Sequence, residues 1–126
     1  MYTKMLLLAL FAAATASAAA IDSRQANKAG AVSFGTCTPT IDFKLGRPGR
    51  KATEGTFLPT DPVVAKGQQD ALNPNIITNR VCDQLTNVCG ANAAAKALCL
   101  SAKAQVATLG SKDASTAAAF NKALGF

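Results

Sequence analysis

Apolar and polar residues alternate over residues 32–58 and recur at helical spacing beyond residue 73, so the chain changes period near its middle. Ile41, Phe43 and Leu45 alternate with Asp42 and Lys44, the spacing of a strand buried on one face. Gly46-Arg47-Pro48-Gly49-Arg50 follows. Proline presets φ at one central position of a turn, and glycine supplies positive φ at the next. Residues 51–58 are therefore expected to return as a second strand with Phe57 and Leu58 inward, weakened by Gly55. This half is predicted as a β-hairpin or an ordered extended segment.

Asp61 before Pro62 and Asn73 before Pro74 each pair an N-cap acceptor with proline at the first helical position. A short helix is expected over 62–66, a polar connector over 67–70, and a longer helix from Pro74. In that helix Ile77, Val81, Leu85 and Val88 form one stripe, while Arg80 and Asp83, three apart, are expected to pair on another face. Gly90 ends it and Asn92 opens the next helix. There Ala95, Leu98, Cys99, Ala102, Val106 and Leu109 share a face, Lys96 and Lys103 point away, and Gly110 stops the helix. Ser111 is expected to cap a third, alanine-rich helix, with Ala117, Phe120 and Leu124 inward and Gly125-Phe126 tucking back or fraying. The predicted fold class is mainly α: a C-terminal three-helix unit with an N-terminal extended or β-hairpin segment, stapled by disulfides.

Residues 1–20 have the three parts of an export signal. Lys4 supplies the positive charge, residues 5–14 an apolar run, and Ala16-Ser17-Ala18 and Ala18-Ala19-Ala20 two small-x-small sites. Cleavage is expected after Ala18 or Ala20. The apolar run shades into small residues before reaching the roughly 20 apolar residues of a membrane span. Residues 21–31 then form a flexible lead and 32–126 a single small domain. The expected location is secreted, extracellular.

Export makes Cys37, Cys82, Cys89 and Cys99 candidates for two disulfides. A zinc site needs short paired spacings or histidine partners, and the chain has no His. Helix geometry chooses among the three pairings. Two antiparallel helices joined at Gly90 bring Cys82 and Cys99 level, since each lies roughly 12–14 Å from the turn at 1.5 Å rise. Cys89 sits at the turn, too far from Cys99 for a disulfide. The expected pairs are Cys82–Cys99 and Cys37–Cys89.

Composition narrows the function further. Loss of Lys4 with the signal leaves 12 basic residues against 7 acidic ones, a balance that favours anionic surfaces. Both Met residues and the single Tyr lie in the signal, and His and Trp are absent altogether. There is accordingly no histidine acid or base and no Ser-His or Cys-His nucleophile pair. The remaining catalytic option is a carboxylate pair, Asp42 and Glu54 across the hairpin, and the weight falls on their being exposed strand residues. No catalytic residue, metal ligand or cofactor is expected. Lys44, Arg47, Arg50 and Lys51 surround the Pro-Gly turn and form a candidate anion-binding cluster. No aromatic–basic motif for nucleic acid is present, and the helices lack the strongly cationic face of stable membrane binders.

The run from Gly46-Arg47-Pro48-Gly49-Arg50 to Pro59-Thr60-Asp61-Pro62, continued by Gly67-Gln68-Gln69-Asp70, Asn73-Pro74 and Val88-Cys89-Gly90, resembles the small cysteine-containing secreted proteins of filamentous fungi. The resemblance is of type: signal, about a hundred mature residues, few cysteines and alanine-rich helices. It implies a class that includes candidate effectors and wall-associated proteins, and it assigns no site residue. The expected function is a secreted, non-enzymatic, effector-like interaction protein whose partner is an anionic polysaccharide or a host surface protein. The alternatives are a cell-wall-associated structural protein held by charge and, third, a cationic membrane-active protein.

Overall fold

The computed structural model describes residues 31–126. The expected signal over residues 1–20 and nearly all of the expected lead lie outside the described residues.

Strands β1 (Ile41–Leu45) and β2 (Gly55–Pro59) pair antiparallel, with Phe43 opposite Phe57 and Leu45 opposite Gly55. Between them Arg50 N–H donates to the Arg47 carbonyl at 2.8 Å, closing the Pro48-Gly49 turn with Gly49 at φ 83°. A second turn follows, from Glu54 N–H to the Lys51 carbonyl. That turn is why the returning strand starts at Gly55 rather than Lys51. Leu45, expected inward, is 60% exposed because the hairpin tip extends past the core. The free side of β2 is covered: Phe57 and Ala71 exchange backbone hydrogen bonds of 2.8 and 3.0 Å, which blunts a sheet edge that would otherwise present unpaired groups.

Four helices follow: α1 (Pro62–Ala65), α2 (Pro74–Gln84), α3 (Ala93–Leu109) and α4 (Ala114–Ala123). Asp61, Asn73 and Asn92 cap the first three through their side-chain oxygens. The cap of α4 is Asp113 in a reciprocal capping box with Thr116, not Ser111. Ser111 instead hydrogen-bonds the Thr116 hydroxyl at 2.7 Å.

Helix α2 does not run regularly to Gly90. Leu85–Cys89 forms a π turn, with the Gly90 and Ala91 N–H groups both donating to the Leu85 carbonyl. The wider turn delays the return of the chain to the core side. It carries Val88 outward, 49% exposed, and brings Cys89 inward, 2% exposed. The predicted Val88 end of the stripe is thereby replaced by Cys89. Arg80 does not take Asp83 as partner either; it donates to the Lys66 carbonyl at 2.7 Å, and Asp83 accepts from Asn79.

The core collects Ile41 and Phe57 from the hairpin, Val64 from α1, Ile77, Val81 and Leu85 from the α2 side, and Phe120 and Leu124 beside Ala117 at α4. From α3 come Ala95, Cys99, Ala102 and Val106, while Leu98 is half-buried and Leu109, beyond the overlap with α2, is exposed. Asn121 of α4 joins the hairpin to the helices. Its carboxamide accepts from Ile41 N–H at 2.9 Å and donates to the Ile41 carbonyl at 2.8 Å, taking the place of a neighbouring strand. At the C-terminus Phe126 N–H donates to the Asn121 carbonyl, and the Phe126 ring lies 5.7 Å from that of Phe34. Among the described residues the result is a mainly helical fold with one two-stranded sheet.

Candidate functional site

At the hairpin tip, where the sequence concentrates cations, the fold turns half of them inward. Arg47 reaches back over β2. Its Nη1 donates to the Thr56 carbonyl at 2.6 Å and to the Thr56 hydroxyl at 3.3 Å, and its Nη2 pairs with Asp42. Only 11% of the Arg47 side chain is exposed. Arg50 turns the other way, donating from Nε to Asp70 Oδ2 and from Nη2 to the Asp70 carbonyl, both at 3.0 Å.

Thr56 anchors the first of these arginine–carboxylate pairs. It is fully buried, and its carbonyl and hydroxyl both accept from Arg47. The nearby Thr56 hydroxyl, followed by the hydrogen bond and charge of Arg50, holds the Asp70 carboxyl below its ordinary range against the opposing effect of burial. Asp42, Arg47 and Thr56 thus form one polar group at the tip, and Arg50 and Asp70 a second beside it.

The anion-binding cluster is consequently split. Arg47 and Arg50 are occupied by carboxylates of the chain itself, while Lys51 is exposed and Lys44 is 67% exposed at 3.6 Å from Asp42. A depression of about 540 Å³ beside the tip has Arg47, Arg50, Gln68 and Asp70 in its wall. Asp42 and Glu54, the conceivable carboxylate pair, do not face each other: Asp42 is opposite Leu58, and Glu54 precedes β2 in the second turn. No cluster of three or more potential metal ligands occurs among the described residues.

Spacing along the chain gave no hint of Thr56 and Asp70. Thr56 looks like an outward strand position beside Phe57, and Asp70 like part of a polar connector.

The cysteines form two bridges, Cys37–Cys89 with Cα atoms 5.3 Å apart and Cys82–Cys99 with Cα atoms 5.6 Å apart. The second staples α2 to α3. Along the outer seam of these helices lie two depressions. One, of about 430 Å³, is lined by Asn75, Ile76, Asn79, Lys103, Ala104 and Ala107. The other, of about 280 Å³, is lined by Cys82, Asp83, Thr86, Asn87, Lys96 and Leu100. Lys103 Nζ donates to Asn79 Oδ1 at 2.8 Å.

No family model matches the chain, and no curated protein or solved structure shows significant similarity to it.

Proposed function

We propose that the chain is an exported interaction protein that acts outside the cell by contact rather than by catalysis, in the manner of an effector. The observation that carries this reading is the use of all four cysteines, none left free, to tie one small core. Such bridges persist in oxidising compartments, and small domains with modest cores rely on them. The sequence supports export through its N-terminal apolar run and small-residue sites. No helix among the described residues is long and apolar enough to cross a membrane. The test is infiltration of the oxidised mature chain into plant leaf tissue beside a reduced, alkylated control. Cell death or an immune response to the oxidised form alone is expected. Equal silence of both forms at matched concentration removes the effector reading.

A second reading, attachment to an anionic wall polymer, is favoured by the positive balance of the chain and by Lys44 and Lys51 projecting from the tip. It requires salt-reversible retention on wall polysaccharide that weakens when those two lysines are replaced. Arg47 and Arg50 are unsuitable for that test because they hold the tip together.

A further inference from the structure

We propose that the outer face of the α2–α3 pair is a docking surface for an acidic amphipathic helix of a protein partner. The proposal deepens the contact-protein reading and rests on it only in taking binding to be the activity. Helix α3 is apolar or small on two opposite sides. Ala95, Cys99, Ala102 and Val106 face the core, while Ala93, Ala97, Leu100, Ser101, Ala104 and Thr108 are exposed and uncharged. A helix that is apolar or small on two faces calls for cover on both, and among the described residues only one side is covered. Ile76 on α2 and Leu100 on α3 stand 49% and 56% exposed at the two depressions of the seam.

Charge at the seam selects the occupant. Lys96 lines one depression and Lys103 the other, seven residues apart and therefore separated by about 10 Å along the axis. Among the described residues neither has a carboxylate within ion-pair distance, and Asp83 is the one acidic residue lining the two depressions. An incoming helix with carboxylates at matching spacing supplies the missing partners, and its apolar ridge lies over Leu100 and Ala104. Alanine at positions 97 and 104 permits axes near the close end of the roughly 8–10 Å range for packed helices. A second copy is a poorer occupant, because two-fold antiparallel pairing of this face brings Lys96 of one copy toward Lys103 of the other. A bilayer is also poorer, since two lysines fall short of a strongly cationic face. A few helical turns bury less than a standard interface, so affinity on the order of 10–100 µM is expected.

The probe is a synthetic helical peptide of about 18 residues. It carries a Leu/Ala stripe and two Glu residues seven apart, and a control peptide has Lys in place of both Glu. Titration into the oxidised mature chain, followed by NMR, is expected to shift the amides of Ile76, Leu100 and Ala104 with the Glu peptide. The Lys peptide should bind about tenfold more weakly or worse. In the variant Lys96→Glu/Lys103→Glu the preference should reverse. Ala104→Gln, a neutral change at an exposed helical site, should leave the melting temperature unchanged and weaken the Glu peptide about fivefold. Equal binding of the two peptides, shifts confined to the hairpin tip, or no binding by either overturns the proposal. So does dimerisation abolished by Ala104→Gln, or binding to phosphatidylserine vesicles in place of peptide. These measurements use purified components, so they succeed or fail independently of the tissue response.

Discussion

At Asp70 a single carboxylate links the connector to the hairpin. The Thr56 hydroxyl, then Arg50, stabilise its ionised form in the folded chain. Its folded pKa is lowered relative to the unfolded chain, where a carboxylate titrates near 3.9. The resulting stabilisation is present above about pH 4 and is lost as pH falls through and below that value. Asp113 acts in the same direction, chiefly through its hydrogen bond with Ser115 at the start of α4. The melting temperature of the oxidised chain should therefore fall between about pH 5 and pH 2. Asp70→Asn keeps an acceptor oxygen but no titratable group, so it should lower stability at pH 7 and flatten the acid limb. An acid limb unchanged in that variant would show that Asp70 does not contribute to it.

Gly55 marks the elements most sharply. In the sequence it reads as a flaw in a strand, because glycine interiors lack a side chain to pack. In the fold it is the place where the Phe43 ring crosses β2: a Cβ on Gly55 would lie 2.0 Å from Phe43 Cζ. That ring also packs against Phe57, with centroids 5.0 Å apart. Gly55→Ala should therefore destabilise the chain by about 1–3 kcal/mol, the range for overpacking, measurable by urea unfolding of the oxidised protein. The double variant Gly55→Ala/Phe43→Leu should recover part of that loss, and failure to recover any would place the cost in the backbone. Helix starts at Pro62, Pro74 and Asn92 and the stop at Gly110 were legible because caps and breakers act within a few residues. The π turn at Leu85–Cys89 was not, because a regular α-helix satisfies the 77–81–85–88 stripe equally well. What favours the wider turn is the inward placement of Cys89 for its bridge to Cys37, 52 residues away. The tip was half legible: the Pro-Gly turn follows from local chemistry, whereas the neutralisation of Arg50 by Asp70, 20 residues away, depends on how the connector folds back.

For the molecule as a whole, the bridges divide the work of holding a small core, in a chain with only 23 Val, Ile, Leu and Phe residues after residue 20. Cys82–Cys99 closes a separation of 17 residues between helices that already pack along Val81, Leu85, Ala95 and Ala102. Cys37–Cys89 closes 52 residues and fastens an irregular segment that hydrogen bonds also tie to the helical hairpin. Thr36 N–H donates to the Cys89 carbonyl at 2.9 Å, and Asn92 N–H to the Ser33 carbonyl at 3.0 Å. Gly35 fits against this turn because it has no Cβ, which would lie 1.9 Å from the Cys89 carbonyl oxygen. On the loop-entropy account the shorter bridge contributes about 3 kcal/mol and the longer about 4. Each is a large fraction of the roughly 5–15 kcal/mol that stabilises a small domain. The variant Cys37→Ala/Cys89→Ala should therefore unfold at lower urea than Cys82→Ala/Cys99→Ala. It should also lose amide-exchange protection at Thr36 and Asn92 before the α2–α3 core opens. The reverse order of midpoints would mean that packing around Cys99, which has no exposed surface, outweighs loop closure. In that case the stability of the helical pair would reside in its native contacts, and the segment ahead of the hairpin would be held by them rather than by its own bridge.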